Sequence, residues 1–235
     1  MMLLTRIPTG GAGVGSATFA RALWAYPLAG ALVGSLGGLT YWGVLAAHLS
    51  PLVAAGLAVG VTMLASGALH EDGLADLFDG IGGARDRARR LEIMRDSRIG
   101  TYGAAALALS LLLRWSALVA LAAPARVLPV WIAAGALSRA AVALPLMLLP
   151  PARSDGLGAQ AASPPLWSAA TAIVIALAIA AALLRLDAAV PATGAFAVAA
   201  IVTFIAWRAL GGQTGDVLGA CALVAEIAAL IAGGG

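Results

Sequence analysis

The sequence predicts an all-α, polytopic membrane bundle of about six to seven transmembrane helices, folded as a single domain over residues 1–235. Three observations predict it. The chain is 62% hydrophobic and 11% charged, with a mean hydropathy of +0.98, whereas soluble domains carry about a quarter charged residues. Apolar runs of roughly 20 residues, the length that crosses a bilayer as helix, recur along it. The charge it does have is gathered, with seven of the 11 acidic residues and six of the 14 arginines lying between His70 and Gly103.

In chain order the apolar spans run at about 22–47, 52–69, 102–123, 127–149, 166–186, 189–209 and 217–233, the second and last being short for a full crossing. No cleavable signal peptide is expected, because the run after Arg21 is too long for a signal core. The first two spans carry Gly-x3-Gly spacings (Gly30/Gly34, Gly34/Gly38, Gly56/Gly60) of the kind that lets membrane helices approach closely, although such spacings arise by chance in a chain this rich in Ala and Gly. The six tryptophans lie mostly near span ends, where an interfacial belt accounts for them.

Arginine sets the orientation. There is no lysine. With an inner N-terminus, Arg6, Arg21, the six arginines of 85–98, Arg153 and Arg208 fall inside, and only Arg126 and Arg185 fall outside. Three polar segments, 70–101, 150–165 and 210–216, then share the cytoplasmic face. A net charge of +3 without a broad basic surface argues against nucleic-acid binding. The single Cys221 excludes an intrachain disulfide.

Within the first polar segment, Asp72, Asp76 and Asp79 fall at i, i+4 and i+7, an arc of roughly 60° on a helix. At ~6 Å and an effective dielectric near 20, each like-charged pair costs about 3 kcal/mol. Arginine, protonation or a cation must relieve that repulsion. Hard divalent cations suit all-oxygen sites; a solvated helix end with salt bridges to its neighbour is the plainer alternative. His70 and Glu71 lie off the arc, His70 as a candidate general base or a hydrogen-bonding support.

The run Gly80-Ile81-Gly82-Gly83 is expected to break this helix, and a second helix is expected from Ala84 to about Ser97. On it Arg85, Arg89, Glu92 and Asp96 would share a face, with Arg95 and Arg98 nearby. A glycine turn (Gly82, Gly83) leading into a helix offers N–H groups to an anion, and arginine adds bidentate phosphate contacts. The same residues also describe an exposed helix laced with ion pairs. Thr214 could cap the last span, and Asp216 could add a carboxylate. Arg153-Ser154-Asp155-Gly156-Leu157-Gly158 reads as a lid or a connector. Glu226, Arg114 and Arg139 interrupt apolar spans, and Glu226 with either arginine forms a candidate buried pair.

These segments resemble the adenosylcobinamide-GDP ribazoletransferase (cobalamin synthase) family. The resemblance rests on Leu4-Thr5-Arg6-Ile7-Pro8, His70–Gly80, Arg90–Gly103, Ser138-Arg139, Asp155-Gly156-Leu157-Gly158 and Gly211–Gly219, in family order over nearly the whole chain. It implies a Mg²⁺-dependent enzyme of the bacterial cytoplasmic (inner) membrane. That enzyme joins adenosylcobinamide-GDP to α-ribazole or α-ribazole 5′-phosphate, giving adenosylcobalamin or its 5′-phosphate and GMP. The expected chemistry is attack of the ribazole 5′-hydroxyl on the cobinamide-side phosphorus. On this reading Asp72, Asp76 and Asp79, with Asp96 and Asp216, hold metal. Arg85, Arg89, Arg95 and Arg98, with Gly82, Gly83 and Thr214, bind substrate. Asp72, Asp76 or His70 serves catalysis. The resemblance leaves room for a homo-oligomer or for association with other enzymes of the late cobalamin pathway.

Competing readings are a Mg²⁺-dependent membrane prenyltransferase or an alcohol phosphotransferase. The first would show a second aspartate-rich motif, where this chain has isolated Asp155 and Asp216. The second would show Asp-Gly-x2-Ala-Arg continuing to two further aspartates, a pattern from which Asp72-Gly73-Leu74-Ala75-Asp76 departs. A transporter would place its charges at mid-bilayer rather than at one face.

Overall fold

Residues 20–234 are described in the computed structural model, and among them every regular element is helical apart from a single bridge between Pro151 and Gln213. The segment Leu4-Thr5-Arg6-Ile7-Pro8 lies outside the described residues. A 3-10 turn, Ala22–Ala25, leads into α1 (Tyr26–Ala46). There follow α2 (Pro51–Ser66), α3 (Leu69–Gly83), α4 (Arg87–Ile93), α5 (Thr101–Leu121), α6 (Pro124–Ala141), α7 (Ala143–Leu148) and α8 (Gly156–Ala161). The chain closes with α9 (Leu166–Leu184), a second 3-10 turn (Arg185–Ala188), α10 (Ala189–Leu210) and α11 (Gly215–Ala232). Local chemistry sets several starts. The Ser50 side chain accepts from the Val53 N–H with Pro51 at the first helical position, and Thr214 accepts from the Val217 N–H at 3.3 Å.

Among the described residues five stretches are long and apolar enough to cross a membrane, or six if the bent pair α2–α3 is counted as one span. The chain is a multi-pass membrane protein. One of the five, Leu166–Leu210, has 45 residues and contains both α9 and α10. As one straight helix it would run about 68 Å, more than twice the ~30 Å hydrocarbon core. Instead Arg185, at φ 57°, interrupts it, and both helices pack on α6 and α7. The start of α9 is pinned beside the start of α1, where Ser168 Oγ accepts from the Trp24 N–H and donates to the Arg21 carbonyl.

The sharpest departure from a plain bundle follows α2. Gly67 and Ala68 are both left-handed (φ 67° and 56°), and α3 leaves at 89° to α2. The second apolar span therefore stops at Ser66, and the acidic helix lies across the end of the bundle, packed on α5 and α11.

Small residues bring the helices together. A Cβ added to Gly30 of α1 would run into the Gly135 carbonyl of α6, and one on Gly34 into the Trp131 carbonyl. Gly38 meets Leu128 across the same seam. The Gly30/Gly34/Gly38 spacing is thus a packing stripe. Gly56 and Gly60 face open space, so that spacing carries no contact. Alanine fills much of the core, including Ala133, Ala134, Ala136 and Ala140. Leu64, Leu112, Val174 and Phe204 stay exposed around the outside; for a membrane protein that surface faces lipid.

Trp131 departs from the interfacial belt expected for the tryptophans. It is fully buried and donates to Glu226 at 3.2 Å. Trp42, Trp167 and Trp207 are exposed.

Candidate active site

Four charged side chains are buried behind α3. Arg114 of α5 donates to Glu71 Oε1 at 2.7 Å, to Thr62 Oγ1 at 2.8 Å and to Glu226 Oε1 at 3.5 Å. Arg139 of α6 donates to the other Glu226 oxygen and to Ser138 Oγ. Two cations and two carboxylates thus form a balanced network that ties α3, α5, α6 and α11 together. Glu226 pairs with both arginines, where the sequence suggested one. Buried charges in a membrane persist only with such partners.

On the outer side of α3 the aspartates separate. Asp72 is exposed, Asp76 half-buried and Asp79 buried. Asp79 accepts from the Gly100 N–H at 2.7 Å and from the Gly103 N–H at 2.8 Å, capping the N-terminus of α5. Both carboxylate oxygens are therefore engaged, and a Cβ at either glycine would collide with them. Asp72, Asp79 and Asp216 all act on Asp76 as like charges. Asp216 comes alongside because α3 and α11 touch at glycine: a Cβ on Gly73 would lie 2.8 Å from the Asp216 carbonyl oxygen.

The arginine segment differs from its expected form. Gly80–Gly83 continues α3 instead of breaking it; the break falls at Ala84, which is extended. The following helix is only Arg87–Ile93, so Arg85 precedes it and Asp96 follows it, and their shared face does not form. Asp86 caps that helix by accepting from the Arg89 N–H, placing a carboxylate where an anion was expected. Gly82 and Gly83 lie against Tyr102 and Ile93. Arg89 pairs with Glu92, Arg95 with Asp155 and Arg98 with Asp96, all exposed. Hydrogen bonds and charge from Arg98 hold the Asp96 carboxyl down to about 2.

The loop 150–158 is sewn to the segment before α11. Ala152 N–H donates to the Gln213 carbonyl, Gln213 N–H to the Pro150 carbonyl, and the buried Gln213 side chain to the Gly158 carbonyl. Arg153, which the sequence leaves as part of a lid or connector, reaches Asp216 at 3.5 Å and the Leu91 carbonyl at 2.9 Å.

These elements enclose a cavity of about 280 Å³ walled by His70, Asp72, Arg139, Arg153, Thr214 and Asp216, among others. His70, Asp72, Thr214 and Asp216 are thus brought together. The wall takes its cations from Arg139 and Arg153 and not from Arg85, Arg89, Arg95 or Arg98. Arg95 and Arg153 border an adjoining cleft with Asp155 and Glu92. The signal for Arg153 in the sequence was its place in one of the three polar segments; for Arg139, an arginine interrupting an apolar span.

Among the described residues no group of three His, Cys, Asp or Glu side chains converges as metal ligands. Asp72 and Asp216, both lining the cavity, offer a pair of oxygen donors. That fits Mg²⁺, which takes one or two carboxylates and completes its shell with water and substrate phosphate.

The family described as Cobalamin-5-phosphate synthase matches residues 1–233. The chain is 46% identical to the adenosylcobinamide-GDP ribazoletransferase of Bradyrhizobium diazoefficiens, over 97% of this chain and 88% of that one. It is 45% identical to the Mesorhizobium japonicum enzyme of the same name, over 98% and 89% of the two chains. With the Xanthobacter autotrophicus enzyme of that name it shares 48% identity over 90% and 83%. No solved structure matches it. By sequence over nearly its whole length, the chain belongs to the adenosylcobinamide-GDP ribazoletransferase family.

Proposed function

We propose that the cavity beneath α3 carries out the transfer for which the family is named: α-ribazole, or its 5′-phosphate, displaces GMP from adenosylcobinamide-GDP. The observation that carries this reading is that Asp72 and Asp216 line the same cavity as Arg139 and Arg153. Phosphoryl transfer asks for positioning and charge neutralisation more than for covalent catalysis. Arg153 and Arg139 supply fixed cationic forks for a diphosphate. Asp72 and Asp216 would hold Mg²⁺, whose chemistry there is neutralisation of charge developing on the diphosphate oxygens. Asp76, one turn along α3 from Asp72, takes the proton from the attacking hydroxyl. His70, deeper in the wall, supports the cavity floor.

The matched family's description names a 5-phosphate product. An acceptor that keeps its 5′-phosphate has no free 5′ oxygen, so the nucleophile is another ribose hydroxyl. This corrects the 5′-hydroxyl expected from the resemblance.

The test is GMP release by membranes carrying the chain, assayed with adenosylcobinamide-GDP and each acceptor, with and without Mg²⁺. We expect acceptor-dependent GMP release that chelation abolishes. Release that needs no acceptor, or that survives chelation unchanged, would refute the transfer or its metal dependence respectively.

We further propose that the site faces the cytoplasm across the inner membrane. Arg21, the arginines of 85–98, Arg153 and Arg208 stand at the site end, whereas Arg126 and Arg185 border one cleft at the other. Cysteines introduced at the exposed Ser97 and Ser154 should react with an impermeant thiol reagent only in inside-out vesicles. Cys221, being buried, need not be removed. Labelling from the periplasmic side would reverse the orientation.

A further inference from the structure

A second cavity, of about 250 Å³, lies on the flank of α3 that faces α2 and α5. Its wall is of two kinds. Met63, Leu107 and Leu111 make an apolar side, and Glu71, Asp72 and Asp76 make an acidic one. Asp72 borders both this cavity and the first, so α3 stands between two chambers that share one carboxylate.

Glu71 gives this cavity its demand for a ligand. The residue is 4% exposed, and its Oε1 is held by Arg114. Its Oε2 is buried and has no hydrogen-bond partner among the described residues. A buried acceptor left unpaired is costly, and a carboxylate oxygen can be satisfied only by a donor. The wall contains no arginine, unlike that of the first cavity, which has Arg139 and Arg153. The lining therefore disfavours a diphosphate and suits a ligand with an apolar ring and hydroxyl donors. Pockets of this make-up, apolar with a few placed polar groups, are the usual form of small-molecule sites.

We propose that this second cavity is the acceptor subsite. It seats a nucleoside with an apolar aromatic base, the base against Met63, Leu107 and Leu111, with its ribose hydroxyls donating to the carboxylates of α3. The identification of the nucleoside as α-ribazole rests on the transfer proposed above. The arrangement gives each substrate its own chamber, with donor diphosphate and acceptor hydroxyl meeting at Asp72.

The test uses the full-length protein in detergent and α-ribazole as probe, read by equilibrium dialysis without the corrinoid and then by steady-state kinetics. Leu107→Trp fills the cavity. Leu109→Trp, on the exposed outer side of α5, controls for the bulk of the new ring. We expect Leu107→Trp to weaken α-ribazole binding at least ~10-fold, Leu107→Phe to fall between it and wild type, and Leu109→Trp to stay within about twofold. The KM for adenosylcobinamide-GDP should stay within about twofold in all three. Unchanged α-ribazole binding in Leu107→Trp, or a KM defect confined to the corrinoid, overturns the subsite. Wild-type turnover combined with either result removes the subsite and leaves the transfer standing. Loss of α-ribazole binding in Leu107→Trp, where the wild-type protein binds α-ribazole but releases no GMP, keeps the subsite and removes the transfer.

Discussion

Asp72→Asn and Asp76→Asn should each sharply lower turnover, Asp76→Asn by roughly 10²–10⁴-fold, the range over which a positioned proton acceptor acts, while the protein still folds into the membrane. The two losses have different causes. Asp72 shares the donor cavity with Asp216, so its carboxylate serves charge neutralisation there. Asp76 lies among like charges one turn away and serves the proton. A milder pair of variants separates them. Raising Mg²⁺ should partly restore Asp72→Glu, because mass action offsets a weakened affinity. It should leave Asp76→Glu unchanged. Mg²⁺ titration of GMP release for both variants is the measurement. Equal rescue would show that the roles are divided wrongly, and near-normal activity of both Asn variants would take them out of the site. Neither Asn change should harm stability, since removing a charge from the outer face of α3 relieves repulsion.

The largest expected effect on stability is at Glu226. Glu226→Ala leaves Arg139 without its carboxylate, Arg114 without one of two, and the Trp131 ring N–H without an acceptor. Breaking a buried pair by removing one partner typically costs about 3–5 kcal/mol, because the other charge stays behind. Thermal unfolding of the purified protein in detergent should show a marked fall in midpoint. Glu226→Leu combined with Arg139→Leu should recover part of that loss, since both ends of the pair go together and Arg114 keeps Glu71. It should not recover activity, because Arg139 is in the cavity wall. A single Ala variant as stable as wild type would mean that water reaches the network and satisfies Arg139 without Glu226.

The sequence by itself determined the class of protein, the approximate place of its spans and the family to which it belongs. It did so because bilayer crossing is written in local composition, and because Asp72, Asp76 and Asp79 share a helical arc at any tertiary fold. The capping of the last helix by Thr214 was local in the same way. What only the tertiary structure decided depends on residues distant in the chain. Asp79 is engaged by N–H groups 21 and 24 residues away, so its carboxylate caps a helix instead of standing beside Asp72. Arg153 reaches Asp216 because bonds between the loop at 150–158 and the segment around Gln213 hold the two together. Trp131 is buried where its place near a span end suggested the interface, and its ring N–H donates to Glu226, 95 residues on. The crosswise set of α3 comes from two left-handed residues, of which Gly67 is readable and Ala68 is not. Periodicity reports which residues share a face; it carries no term for what that face meets, and here the meeting of α3 with α5 and α11 decides which carboxylates remain free for chemistry.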